Sequence, residues 1–505
     1  MIKKGFFILT ILISLHGYIL GQDKSAISDA GPDLRVFAWE EVMLDGSGSR
    51  GTELKAYWDF DDRDGVENDA EGMIVKHNYK KPGVYIATLT VKDNLGNVSW
   101  DKKAIEVLTP VSEGLNITDN FEGGYIGQTY KLGRMYRCHL MKSVHWTVRI
   151  DNCEGKSVTL RIYGFGKNMP VPLAITHYND ATFDEKFKAV YAYGFDSQEW
   201  EVLDDAEYKY IPKTETMEIT AVFKKSPVYV GWSFIYTPYM LHRYLSGLPE
   251  KPFLNIEYIG KTVQGRDIPM VTIGEPGLKK NKAVWLLGGQ HGMEVGGVSS
   301  AEGMIDFLIS DDPAAIEARS KIDFKILPLI NLDAHANKWY RFNAHGIDLN
   351  RNWDQNDLGH GHDSPVAEPE VAAVKRAISE WIEGDKKRSI AIDIHDWTAI
   401  KPGVQFSTNK EELAKNQKIK IFYNDIIKKY LPHALLYYSE PMGMIAQDYF
   451  HNNVRGNELS MTIEIGLAGL VPESNPAEIP AVPRNVKHIG KQIVKMCLEY
   501  FKSSK

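Results

Sequence analysis

The sequence predicts a multidomain protein in which two N-terminal β-sandwich domains precede an α/β domain with a central mixed sheet flanked by helices. Three observations predict it. At 505 residues the chain is too long for one ordinary core. Up to about residue 236, short runs of aromatic and β-branched residues alternate with polar ones and are broken by turns, the period-2 pattern of half-buried strands. From about Tyr236 the texture changes to apolar strands alternating with helices. The resulting boundaries are 1–21 for a leader, 22–110 and 111–236 for the sandwiches, and 237–505 for the α/β domain.

Taken in order, Lys3 and Lys4 precede an apolar run from Phe6 to Leu15, with Gly17 and Gly21 behind it. Charge, apolar stretch and small residues in that order read as a secretory signal cleaved near Gly21–Gln22, and the run is short for a membrane span. A secreted or periplasmic protein is therefore expected, with no membrane span. Net charge is only -7 and no Lys/Arg stripe is present, which excludes a nucleic-acid binder. Three cysteines, Cys138, Cys153 and Cys497, make neither a disulfide framework nor a cysteine zinc site. Pairing of Cys138 with Cys153 is left open, and Cys497 reads as core.

Residues 54–59, 84–91 and 103–108 are strands of the first sandwich, punctuated by Lys81-Pro82-Gly83 and Asn94-Leu95-Gly96-Asn97. Its acidic turn, Asp59 to Asp64, offers calcium hard oxygen ligands, set against a merely solvated turn. Residues 145–150, 157–163, 189–193, 217–223 and 228–234 read as strands of the second. In the α/β part, strands are expected at 283–287, 324–331, 390–394, 435–438 and 459–465. Helices are expected at 295–309, 368–383, 411–430 and 485–501, the second opening on Pro369.

Four stretches carry the chemistry. His291 and Glu294, three apart just beyond the strand 283–287, turn toward one point and offer zinc an imidazole and a carboxylate. That sheet edge is where α/β domains place their sites. Arg341 to Trp353 crowds Arg341 and Arg351 among asparagines, a loop suited to gripping an anion because guanidinium forks match carboxylates. His395 ends an apolar strand and supplies a third ligand, with His360 and His362 as competitors in a glycine-rich loop. Glu464 sits inside an apolar strand, where a charged carboxylate is costly unless it has a task.

The segment Tyr57-Trp58-Asp59-Phe60-Asp61-Asp62 with His77-Asn78-Tyr79, Pro82-Gly83-Val84-Tyr85 and Leu89-Thr90-Val91-Lys92-Asp93 resembles a polycystic-kidney-disease (PKD) type immunoglobulin-like domain. Such modules space or anchor exported enzymes, which implies weak carbohydrate or protein contact. The four chemical stretches, in their order across 238–505, resemble the zinc carboxypeptidase family, and best its cytosolic-carboxypeptidase-like branch, in which a β-sandwich precedes the catalytic domain. His145 to Asn152, Tyr236-Thr237-Pro238-Tyr239 and Gly260 to Pro269 fit that branch.

The resemblance implies one zinc ion held by His291, Glu294 and His395, with Glu464 as catalytic base and Arg341 stabilising the oxyanion. It further implies that Asn350 and Arg351 bind the substrate's terminal carboxylate, and that Asp348 orients the first ligand histidine. Substrates would be peptide or protein C-termini, acidic ones by the branch's habit. The chain departs from the family at Asn331-Leu332-Asp333-Ala334, where the family has Asn-Pro-Asp-Gly, and at Asp396-Trp397 after the third ligand. The tyrosine that caps substrate has three candidates, Tyr437, Tyr438 and Tyr449. The alternatives are a zinc amidase cutting γ-D-glutamyl bonds of cell-wall peptides and an inactive binding protein; an aspartoacylase-type deacylase would lack the Arg341/Asn350/Arg351 set.

Overall fold

A computed structural model describes residues 26–122, 124, 146–163, 188–211, 213, 216–231, 233–278, 280–292, 294–337, 339, 341–353, 367–382, 388–397, 403–407, 416–432, 434–439, 445–453, 457–466 and 482–503. The leader, Cys138, His360 and His362 lie outside the described residues. Among the described residues no helix is long and apolar enough to cross a membrane.

The first domain is a sandwich. Its larger sheet uses β1 (Leu34–Phe37), β3 (Lys55–Asp59), β4 (Ala70–Glu71), β6 (Gly83–Lys92) and β7 (Val98–Leu108); β2 (Glu41–Asp45) pairs separately with β5 (Ile74–Asn78). Trp58, Leu89, Val91, Ile105 and Val107 fill its core. In the acidic turn Asp64 is exposed, while the other carboxylates are engaged within the protein. Asp59 accepts from the backbone N–H groups of Asp61 (2.9 Å) and Glu67 (3.0 Å), Asp61 pairs with Arg63 (2.6 Å), and buried Asp62 pairs with Lys102.

The second sandwich packs β8 (Asn116–Thr118), β9 (Thr147–Asp151), β11 (Val190–Ala192), β12 (Glu201–Val202) and β15 (Val228–Gly231) against β10 (Ser157–Tyr163), β13 (Glu207–Ile211) and β14 (Thr216–Val222). Fully buried Arg149 ties it to the first, donating to the carbonyls of Gly83 (2.8 Å) and Val107 (2.9 Å) while Asp151 neutralises it at 2.7 Å. Cys153 is buried with its thiol toward the Ile150 carbonyl at 3.4 Å.

Helix α1 (Pro238–Ser246), capped by Thr237, leads into an eight-stranded mixed sheet. Its strands are β16 (Leu254–Lys261), β17 (Asp267–Ile273), β18 (Lys282–Leu287), β19 (Asp323–Leu327), β20 (Arg388–Trp397), β21 (Gly403–Ser407), β22 (Leu435–Ser439) and β23 (Asn457–Gly466), in spatial order 16-17-19-18-20-23-21-22. Around it lie α2 (Val295–Ile309), α3 (Pro313–Lys321), α4 (Leu332–Asn337), α5 (Pro369–Ile382), α6 (Gln417–Ile421), α7 (Ala446–Asn453) and α8 (Pro483–Ser503). Strands β18, β20 and β23 run parallel at the centre; β18 is apolar from Ala283 to Leu287, as a strand covered on both faces must be, whereas β20 and β23 alternate buried apolar residues with polar ones.

The strand expected at 324–331 ends at Leu327. Beyond it the apolar run stays buried but turns into α4, because the Asn331 side chain accepts from Ala334 N–H at 3.2 Å and caps the helix. The helix expected over 411–430 is described from Gln417, and six residues, Phe422–Ile427, take a π-helical turn.

Candidate active site

Strand β18 ends at Leu287 and the chain turns through Gly288 and Gly289, where a Cβ on Gly288 would lie 2.6 Å from the Pro328 carbonyl. That close passage delivers His291 and Glu294 to the sheet edge immediately before α2. Neighbouring β20 brings His395 to the same edge, since Leu287 is level with Asp393 in the parallel register. His291, Glu294 and His395 place their ligand atoms within 4.8 Å of one another, the one such cluster of metal-binding groups among the described residues.

The two rings approach the same carboxylate from opposite ends. His291 Nδ1 lies 2.7 Å from Glu294 Oε1, and His395 Nδ1 lies 2.6 Å from Glu294 Oε2. The outward nitrogens are also held: His291 Nε2 by Asp348 at 3.1 Å, His395 Nε2 by Asp393 at 2.9 Å. A carboxylate behind each imidazole fixes the tautomer that leaves Nδ1 free to bind a cation. Two imidazoles and one carboxylate are the donor set of a catalytic zinc site, so the residues fit zinc.

Electrostatics follow from this crowding. Burial alone would push Asp348 up, but Arg341 and then His291 outweigh it and hold the carboxyl well below its usual range. Burial likewise opposes ionisation of Glu294, and the two histidines overcome it. For His395, burial favours the neutral ring while Asp393 and Glu294 raise its pKa well above the ordinary value.

Glu464 stands directly across from His395 in the β20–β23 register, and burial pushes its carboxyl up to about 7. Arg341 reaches Asp348 through Nε at 2.5 Å, one residue-pair behind His291. Asn350 lies under His395, its Nδ2 3.0 Å from the ring Nε2 and its Oδ1 accepting from Ala446 N–H at 2.9 Å. Arg351 donates to the Asn350 carbonyl at 2.8 Å. The structure thus brings all eight sequence-derived site residues to one sheet edge. Of the tyrosine candidates, Tyr449 packs on Trp353 with ring centroids 5.5 Å apart, and the side chains of Tyr437 and Tyr438 lie outside the described residues.

Sequence reasoning missed the support behind these groups. Asp393 is two residues before His395 on a strand, hence on the same face, a period-2 relation that could have exposed it. Its other oxygen accepts from buried Gln290 at 2.7 Å, and Gln290 in turn accepts from Trp353 Nε1 at 3.0 Å. His335 on α4 bridges the carbonyls of His291 and Tyr236, each at 3.1 Å. Asp396 accepts from Gly296 N–H at 2.6 Å and so pins the start of α2 beside Glu294.

Residues 242–478 match the zinc carboxypeptidase family and residues 24–107 the PKD domain. The chain is similar to mouse cytosolic carboxypeptidase 6, 25% identical over 294 residues that cover 54% of this chain and 51% of that protein. The Caenorhabditis elegans protein of that name is 27% identical over 220 residues, 42% of this chain and 45% of its own. The chain therefore spans about half the length of these relatives. A metallo-carboxypeptidase from Burkholderia cenocepacia shares the fold with a TM-score of 0.60 at 21% identity, over 77% of this chain and all of that one. One from Pseudomonas aeruginosa does so at 0.55 and 16% identity, over 77% and 99%.

Proposed function

With residues 242–478 a zinc carboxypeptidase domain and residues 24–107 a PKD domain, we propose that the protein is an exported zinc metallocarboxypeptidase removing C-terminal residues from peptides or proteins. The observation that carries this reading is the convergence of His291 and His395, through Nδ1, on the two oxygens of Glu294, with Glu464 level with His395 on the next strand. Export rests on the order of charge, apolar run and small residues before Gln22.

One zinc ion would be held by His291, Glu294 and His395. When bound, zinc acidifies a water and polarises a carbonyl, the chemistry peptide hydrolysis needs. Glu464 takes up a proton at its carboxylate and later delivers it to the departing amine; a pKa near neutrality suits a group that must do both. Arg341 donates to negative charge developing on the scissile oxygen, and its Nε bond to Asp348 fixes the direction of that donation. Asn350 and Arg351 would hold a terminal carboxylate, which would limit cleavage to chain ends.

The test is to incubate the zinc-loaded protein with peptides bearing free or amidated C-termini and with muropeptides, following products by mass spectrometry. Stepwise release of C-terminal residues from free termini only, abolished by a chelator and regained with zinc, is expected. Cleavage restricted to muropeptides would replace this reading with a cell-wall amidase, and no cleavage of either with a binding protein.

A further inference from the structure

The turn at residues 262–266 joins β16 to β17. It closes through Thr262 N–H on the Arg266 carbonyl (2.8 Å) and Gly265 N–H on that of Thr262 (3.0 Å). Gly265 takes the left-handed conformation, φ 85°, that this tight reversal needs. The outer side of the turn is held by the first sandwich. Val66 N–H donates to the Gln264 carbonyl at 3.1 Å, and the Arg266 guanidinium donates to the Asp62 carbonyl. Beside these bonds the two domains are not close-packed. A cleft of about 280 Å³ opens there next to Trp100, with Lys102, Arg266 and Leu332 in its wall.

The inner side of the same turn holds α4. Buried Asp333 accepts from Thr262 Oγ1 at 2.7 Å, Arg266 at 2.7 Å and Gln264 N–H at 2.9 Å. Asn337 donates to Gln264 Oε1 at 3.1 Å. Asp333 and Asn337, four residues apart, share one helix face. His335 lies about 200° round the helix from Asp333 and faces the other way. There it meets the His291 carbonyl at 3.1 Å, while Asn331 Nδ2, just before the helix, donates to that of Gln290 at 2.8 Å. A Cβ on Gly292 would lie 2.7 Å from the Ala334 Cβ, so α4 packs directly on the segment between His291 and Glu294. A second arm leaves the turn at Val263, whose N–H donates to Glu370 at 3.2 Å. Glu370 in turn accepts from Asn343, in the loop that carries Arg341, at 3.2 Å.

We propose that the first sandwich is a positioning element of the metal site. Its residues 62–66 clamp the turn 262–266, which fixes α4 and, through Asn331 and His335, the backbone that presents His291. The inference rests on the reading of His291, Glu294 and His395 as zinc ligands. Its physical basis is the grip on Asp333: a buried carboxylate held by three donors cannot leave them without being orphaned at a cost, so α4 follows the turn. A helix of six residues is too short to be stable by itself and takes its place from such contacts. A shift of α4 would carry the His291 carbonyl with it and spoil the meeting of two imidazoles on one carboxylate. Metal affinity is sensitive to outer contacts of that kind. A domain that served only as a spacer would leave the metal site indifferent to these bonds.

The full-length protein is loaded with zinc or with cobalt(II) and compared with three variants. Gln264→Ala removes the acceptor shared by Arg266 and Asn337 and touches no group assigned to metal or substrate. Asp333→Asn breaks the pair with Arg266. Tyr239→Phe, the control, cuts a different bond between the same domains, from Tyr239 to Asp33 at 2.6 Å. Chelator competition is expected to show zinc held about 2–30-fold more weakly in Gln264→Ala and in Asp333→Asn. The cobalt ligand-field bands should shift in both, with affinity and spectrum unchanged in Tyr239→Phe. If Asp333→Asn does not fold, Gln264→Ala decides. Wild-type affinity and spectrum in folded Gln264→Ala would overturn the proposal. Equal losses in Tyr239→Phe would overturn it too, because they would mark a general loosening. A wild-type chain that binds neither metal would remove the zinc reading, and this inference with it.

Discussion

Two aspartates, Asp348 and Asp393, perform parallel tasks on two rings, and they differ in what else they hold. Asp393 touches His395 and Gln290 and no group assigned to substrate. Asp393→Asn should therefore lower zinc affinity about 10–100-fold, read by chelator competition, and leave KM at saturating zinc little changed. Asp348 also anchors Arg341, so Asp348→Asn should lower zinc affinity and kcat together. Arg341→Ala should cost about 10²–10³ in kcat with zinc content unaffected. Glu464→Gln should keep full zinc by metal analysis while losing about 10²–10⁴ in turnover; near-normal turnover would remove Glu464 from the mechanism. At this scale the sequence was informative, because ligand spacing is a property of chemistry. Asp393 was overlooked because an aspartate in an apolar strand acquires meaning only when the facing ring is known.

At the scale of elements, the site depends on how closely neighbours approach. Helices α2 and α8 cross at glycines: a Cβ on Gly303 would sit 1.9 Å from the Lys487 carbonyl oxygen, and one on Gly490 1.9 Å from that of Ser300. Because α2 starts beside Glu294, this crossing fixes the helix that presents a metal ligand. Gly303→Ala should destabilise by about 1–3 kcal/mol or more in thermal or denaturant unfolding. Gly194→Ala, whose added Cβ meets nothing nearer than 3.7 Å, should stay within about 0.5 kcal/mol. Strong periodicity made α2 and α8 legible from sequence, α2 to the residue. Strands β16, β17 and β21 were not assigned from pattern, since edge and crossover strands carry weaker alternation. The π-helical turn at 422–427 breaks the helical period without any proline or glycine to announce it.

Across the whole molecule, the first sandwich packs on the α/β domain as part of one body. One apolar cluster runs from Val84 and Ile86 through Phe121 and Tyr229 into the core of the α/β domain. Above it lies a buried polar junction: Arg266 donates to the Asp62 carbonyl and, at 2.7 Å, to Asp333, while Glu122 accepts from Tyr239 N–H at 3.3 Å. Burial, then the nearby charge of Asp62, pushes Glu122 up to about 8, whereas Lys102 and Arg266 outweigh burial and keep Asp62 below its usual value. The folded state thus retains a proton on Glu122 that the unfolded chain releases near 4.5. Its contribution is complete below that value and is lost as pH rises through about 8; that of Asp62 disappears only in stronger acid. The free energy of unfolding should fall between pH 5 and pH 8 by up to about 1.4 kcal/mol per pH unit from this group, and the melting temperature should fall with it. Glu122→Gln should flatten that fall, and an unchanged slope would assign the effect elsewhere.

The order of the chemical stretches, the two textures of the chain and the turn and cap signals were settled by the sequence itself, since local periodicity and ligand type are local properties. Contacts between distant segments were not. That Gln290 holds Asp393, that Arg266 joins the PKD turn to α4, and that a cleft opens beside Trp100 all depend on pairs of residues dozens to hundreds of positions apart. Register and close packing choose such pairs only once the whole chain has folded.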